Sequence, residues 1–285
     1  MANVIVTGGR GRLAQTLFRL PEWAEHRVVF ASREPEDGMI SNAELCRPDT
    51  LDKFDVVFHL AWSSVPSTAS AEKTEQDLEF LEQLLAGLAR TGNPQFAFFS
   101  TGAVYGDAPA DRGSLETDEP QPFGSYAKGK LQAEKRILKF AERAGIPASV
   151  LRISNAYGST GKDTRQGVIP LLIEMARRGW EFVRAGNSTK DYLHVDDLSS
   201  ALRAVATGAL NSGIYNIGSG ENRSLQQVID GVSAAVGKPI RHSEGVRSVW
   251  DVADNRLDSA KFQEATGWKA AMTFEEGVKR LVDSA

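Results

Sequence analysis

NVIVTGGRGRLAQ, residues 3–15, runs from an apolar β-branched segment straight into a glycine-rich turn. NVIVTG has the composition of a buried strand, and RLAQ begins a helix-forming stretch. Between them stand Gly8, Gly9 and Gly11, with the small Ala14 one turn later. Glycines permit the tight turn and let the backbone approach a pyrophosphate, while a small residue lets the helix pack on the strand. The helix N-terminus then offers free N–H groups and the positive end of its dipole. A lone G-x-G-x-x-A also fits an ordinary strand-to-helix connection. Directly after VIVTG, however, it points to a dinucleotide site, with Gly8, Arg10, Gly11, Arg12 and Leu13 as expected contacts.

The rest of the first half repeats this rhythm. Strand-like runs are expected at 3–8, 27–32, 55–61, 96–101 and 149–154, and helices at 12–20, 71–90 and 126–144. Continuous apolar strands alternating with helices indicate a parallel sheet covered on both faces, the doubly wound Rossmann type of α/β fold. After about residue 158 the rhythm changes. Helical patterns at 167–179, 194–208 and 224–237 are interleaved with the short runs EFVRAG and GIYNIGS, and two more helical segments follow around 258–267 and 273–284. The expected division is a dinucleotide-binding part over 1–158, with a returning segment near 190–219, and a smaller C-terminal α/β part over 159–285. No internal repeat or low-complexity tract interrupts it.

Composition narrows the function. The 285 residues carry a net charge of −4 without a long basic run, which argues against nucleic acid as a partner. No segment is long and apolar enough for a membrane span. The start, MANVIVTGG, enters a strand at once and lacks a secretory signal, so a cytoplasmic location is expected. The single Cys46 has no internal disulfide partner.

Which dinucleotide binds is decided where the second strand ends, at Ser32 and Arg33, with no acid before Glu34. A carboxylate there would accept from the ribose hydroxyls of NAD and repel a 2′-phosphate. Arg33, aided by Arg10 and Arg12, could hold that phosphate instead. The expectation is NADP, with NAD as the alternative.

The fourth strand runs out through Ser100 and Thr101, and 25 residues after Thr101 comes Tyr126, followed four residues on by Lys130. At that spacing the two side chains share one helix face, behind a loop and cap at Gly124 and Ser125. Together these features resemble the extended short-chain dehydrogenase/reductase family, the nucleotide-sugar epimerase and dehydratase group. TGGRGRLA resembles TGxxGxxG, with Ala14 for the last glycine. VFHLAW resembles its HLAA segment, with Trp62 for the second alanine. STGAVYG, SYAKGK, LRISNAYG, DYLHVDDL and IYNIGSG follow in the family's order.

The resemblance implies hydride transfer to or from a sugar carbon, with Thr101, Tyr126 and Lys130 as the catalytic set. Tyr126 would be the acid/base, its phenol lowered by the Lys130 ammonium. Lys130 would also hold the nicotinamide ribose, and Thr101 would orient the reacting oxygen. Leu60, Ala61 and Ser100 would line the cofactor. Gly102 and Ala103 stand where dehydratases of this family carry an acid, which argues against water elimination. A ketoreductase is favoured, with a tightly NAD-bound epimerase as the alternative. A nucleotide diphosphate would meet Thr101, Asn155, Lys190 and Arg247, and Arg184 and Ala185 stand near the base-stacking aromatic of some relatives. Relatives also imply a homodimer through two long helices, and no metal. His59 is read as a hydrogen-bonded structural residue, and His194 with Asp196 and Asp197 as a helix start. Trp62, Ser63 and Ser64 would border the nicotinamide. The rival from another class is a non-catalytic dinucleotide sensor, and such proteins typically lose the tyrosine or lysine kept here.

Overall fold

The opening run forms β1 (Asn3–Thr7), in which Val4, Ile5 and Val6 are fully buried, and leads into α1 (Arg12–Leu17). This computed structural model describes residues 1–63, 69–91, 94–158, 167–186, 188–208, 210–245 and 252–284. α1 stops three residues short of the expected end. Leu20 is extended (φ −66°, ψ 150°) ahead of Pro21, which disfavours helix in the residue before it.

The chain continues through β2 (Arg27–Ser32), β3 (Met39–Ser41), the single-turn α2 (Asn42–Leu45) and α3 (Pro48–Leu51), and β4 (Val56–His59). Then come α4 (Ala71–Leu88), β5 (Gln95–Thr101), α5 (Gly124–Ala144) and β6 (Ala148–Ile153). These strands, joined by the later β10, make one parallel seven-stranded sheet in the order β3-β2-β1-β4-β5-β6-β10. From β1 the order runs outward to β2 and β3 on one side and to β4 on the other. The ends of β1 and β4 therefore flank the switch point where such sheets bind ligands.

Alternation along β1 sends Val4 and Val6 to one face and Ile5 to the other. The first face packs with Phe58, Leu198, Leu202 and Phe262, and the second with Val57, Leu78, Leu81 and Ile137. Both faces are covered, as the continuous apolar strands require.

The second half comprises β7 (Asn155–Tyr157), α6 (Val168–Arg178), β8 (Phe182–Ala185), β9 (Thr189–His194) and α7 (Val195–Ala206). It continues with β10 (Gly213–Ile217), β11 (Asn222–Ser224), α8 (Leu225–Val236), β12 (His242–Gly245), β13 (Asp254–Asn255), α9 (Ala260–Thr266) and α10 (Phe274–Ser284). Its α7, β10 and α9 serve the main sheet. α6, α8 and α10 gather a separate core around Tyr157, Leu172, Tyr192, Val228 and Phe274, beside a small sheet built on β9.

α5 begins two residues before the expected Tyr126. Gly124 has φ +68° and turns the chain into the helix after an extended Phe123, so no side chain, Ser125 included, caps it.

Candidate active site

The glycine turn is packed backbone against backbone. Gly8 has φ +73°, and a Cβ there would lie 3.0 Å from the Ala61 backbone; at Gly9 it would lie 2.5 Å from Phe30 Cβ. The Gly9 N–H donates to the Ala31 carbonyl at 2.9 Å and the Gly11 N–H to that of Gly8 at 2.7 Å. Thr7 Oγ1 accepts the Ala61 N–H at 3.1 Å and meets His59 Nδ1 at 2.8 Å, tying the ends of β1 and β4 together.

At this junction opens a cleft of about 510 Å³, within the range of small-molecule sites. Gly8, Arg10, Gly11, Ser32, Arg33, Leu60 and Ala61 line it, joined by Glu34, Trp62, Ser63 and Asp77. The expected basic clamp is only partly assembled there. Arg33 is exposed and has no ion-pair partner among the described residues. Arg10 is held by Glu34 at 2.7 Å and Glu36 at 3.0 Å. Arg12 instead lines a separate hollow of about 370 Å³ with Arg19, and Leu13 packs on the core.

Thr101 ends β5, and its Oγ1 accepts the Ala103 N–H at 3.2 Å, capping the 3-10 turn Gly102–Tyr105. The Tyr126 hydroxyl stands close enough to that of Thr101 for the latter to lower the phenol. Lys130, one turn along α5, is 4 % exposed and donates to the Phe99 carbonyl at 2.6 Å. Its ammonium lies 4.4 Å from the Trp62 ring and 4.7 Å from that of Phe98. Burial pushes the Tyr126 phenol up to about 12, against the downward pull of the Thr101 hydroxyl. Burial likewise brings Lys130 down to about 7, with Asp77 and Glu134 pulling the other way. The sequence suggested that the Lys130 charge would lower the phenol; burial raises it instead, and Thr101 is the group that opposes the rise.

Behind this pair lies a polar group absent from the sequence reading. Ser100 donates to the Glu134 carboxylate, which is paired with Arg152 at 2.6 Å; both ions are fully buried. The Arg152 guanidinium lies 4.5 Å from the Tyr105 ring, and the Tyr105 hydroxyl donates to Asn216 Oδ1 at 2.8 Å. Asp77 was also missed. It accepts the Ser63 N–H at 2.9 and 3.0 Å and the Ser63 hydroxyl at 2.9 Å, fixing the chain after β4. A signal existed: Thr74, Asp77, Leu78 and Leu81 share helical spacing, which puts a carboxylate on the buried face of α4.

Asn155 Nδ2 donates to the Asp191 carbonyl at 3.0 Å and to Asn255 Oδ1 at 3.4 Å. Lys190 lies on β9, beside Arg223 and Asn255 in the ladders. Neither lines the cleft, and Arg247 and Ser64 lie outside the described residues. Arg184 is engaged by Gln226 at 2.7 Å and by Glu244. His59 is fully buried among Phe80, Phe96 and Phe98, and burial brings it down to about 3. His194 Nδ1 accepts the Asp196 N–H at 3.2 Å as the cap of α7. Burial raises the Cys46 thiol to about 11, which removes it as a nucleophile at neutral pH.

A glycine cradle at the switch point of a parallel sheet, with both faces covered by helices, is a fold of the Rossmann type. Residues 4–218 match the NAD dependent epimerase/dehydratase family, and the chain belongs to it. It is 30% identical to a UDP-glucose 4-epimerase of Corynebacterium glutamicum, over 93% of this chain and 90% of that one. It is 25% identical to the dTDP-4-dehydro-6-deoxyglucose reductase of Escherichia coli, over 99% and 97%. Among solved structures, the Thermus thermophilus UDP-glucose 4-epimerase in complex with NAD superposes with a TM-score of 0.84 at 25% identity, covering 99% of this chain and 98% of that one. The family is one of NAD-dependent enzymes that act on nucleotide sugars. Among the described residues no helix is long and apolar enough to cross a membrane.

Proposed function

We propose that this protein is a ketoreductase of a nucleotide-linked sugar, using a dissociable NADPH. The observation that carries the reading is Arg33, an exposed cation at the rim of the glycine-turn cleft with no ion-pair partner among the described residues. A free cation there suits the 2′-phosphate of a dissociable NADPH, and Tyr126 is the proton donor that reduction of a carbonyl requires.

The residues present fit a dinucleotide, because side chains at Gly8 and Gly9 would collide with Ala61 and Phe30, leaving backbone to face the ligand. The reduced nicotinamide, when bound, supplies hydride to the carbonyl carbon. Tyr126 gives its proton to the carbonyl oxygen, and Thr101 orients that oxygen. Lys130 then faces the phenolate left behind and stabilises it as a cation. Arg33 at the rim favours a 2′-phosphate, and Asn155, Lys190 and Arg247 are the groups proposed for the nucleotide diphosphate. Gly102 and Ala103 provide no acid for dehydration. The same reading includes a homodimer through α4 and α5.

One observation favours a second reading, a 4-epimerase holding NAD. Glu34 and Glu36 neutralise Arg10 at the rim where the 2′-phosphate would sit. Freshly purified protein, denatured and analysed by mass spectrometry for released dinucleotide, separates the two, together with titration of the apo-protein by NADPH and NADH. Empty protein that binds NADPH more tightly supports the ketoreductase. Stoichiometric NAD overturns it in favour of the epimerase.

A further inference from the structure

Trp62 belongs to two surroundings at once. It lines the cleft, and its ring also lies 4.4 Å from the Lys130 ammonium, which does not reach the cleft wall. The ring meets Phe98 edge-on at 6.0 Å between centroids, so the ammonium is enclosed by two aromatic rings and the Phe99 carbonyl. Gly129 makes room for this arrangement. A Cβ there would stand 2.8 Å from Thr74 Cγ2 and 3.4 Å from Trp62 Cζ2, pressing on both α4 and the indole. The Trp62 indole nitrogen is buried without a hydrogen-bond partner among the described residues. Packing and the cation therefore hold the ring, not a hydrogen bond.

We propose that Trp62 is the positioning residue for Lys130: its indole keeps cleft water from the ammonium and holds it against the Phe99 carbonyl, one turn from Tyr126. The assignment rests on the reading of Tyr126 and Lys130 as the proton-transfer pair, yet it is tested without relying on turnover. The other groups around the ammonium are Asp77 on α4, Glu134 on α5, itself paired with Arg152 on β6, and His59 on β4. Tyr126 shares the helix.

Burial is the largest influence on Lys130 and lowers it. Opening its surroundings to water raises it, and the lost attraction of one ring face offsets only part of that rise. In protein labelled with ¹³C at lysine Cε, the Lys130 resonance, assigned by its absence in Lys130→Arg, is titrated by NMR in the apo-protein. The expected midpoint is near 7 in the wild type. It should rise by roughly one unit or more in Trp62→Ala and stay near the wild-type value in Trp62→Phe, which keeps a ring over the ammonium. Turnover should fall roughly tenfold to a hundredfold in Trp62→Ala and largely recover in Trp62→Phe. An unshifted midpoint in a folded Trp62→Ala protein overturns the assignment, whatever the turnover. A shifted midpoint in a protein that binds no dinucleotide keeps Trp62 as the partner of Lys130 but removes its role in catalysis, and the reading of the cleft fails with it.

Discussion

Tyr126 and Lys130 occupy one face of α5, yet in the protein alone they engage different partners. Tyr126 stands beside Thr101, whereas Lys130 turns inward to the Phe99 carbonyl and two aromatic rings. Spacing alone places both side chains on that face. It could not show how strongly burial would act, because the rings that enclose Lys130, Trp62 and Phe98, are remote in the chain. If Tyr126 is the proton donor, Tyr126→Phe removes the donor and leaves the ring. Turnover should then fall by about 10²–10⁴-fold, while dinucleotide affinity measured by fluorescence titration stays within about threefold. A non-catalytic sensor would be indifferent to the change. The arginines were legible in type but not in engagement. Arg10 is occupied by Glu34 and Glu36, and among the described residues of the cleft Arg33 is the cation without such a pair. Arg33→Ala should therefore weaken NADPH binding much more than NADH binding, and equal losses for both would remove its proposed role.

At the level of elements, α5 is fastened to the sheet by charge as well as by apolar packing. Glu134 on α5 and Arg152 on β6 form a fully buried pair that also receives the Ser100 hydroxyl from β5. Removing one partner strands the other ion in an apolar setting. Arg152→Met should cost about 3–5 kcal/mol in urea unfolding, and the double variant Glu134→Leu with Arg152→Met should cost clearly less than the sum of the single changes. Additive losses would mean that the pair acts as two independent groups. The main strands and long helices were legible because their apolar runs and helical spacing are local properties. β3 was not, since a three-residue segment becomes a strand only through the edge that β2 offers it. The pairing of β10 with β6 is equally non-local, joining residues 213–217 to 149–153.

Over the whole molecule, buried titratable groups define a window of pH stability. His59 titrates near 3 in the fold and near 6.5 in the unfolded chain, so the unfolded state binds more protons between those values and stability falls as pH drops through them. Lys130 falls from 10.5 to about 7, so its contribution rises with pH across that range. Tyr105 and Tyr126 are raised from 10 to about 12 by burial, and stability is lost as pH rises above 10. The urea midpoint should therefore be highest near pH 10 and fall on both sides. In Lys130→Met the rise from 7 toward 10 should disappear. The same molecule brings β1, β4, β5 and α5 to one end of the sheet, where the proposed chemistry would occur. The measurement that tests it most directly is a single turnover of a nucleotide-linked keto sugar with NADPH deuterated at nicotinamide C4, run on the wild type and on Tyr126→Phe. The account predicts deuterium on the reduced sugar carbon with the wild type and almost none with Tyr126→Phe, which still binds NADPH. Equal transfer by both proteins, or an isomerised sugar without deuterium, would contradict it.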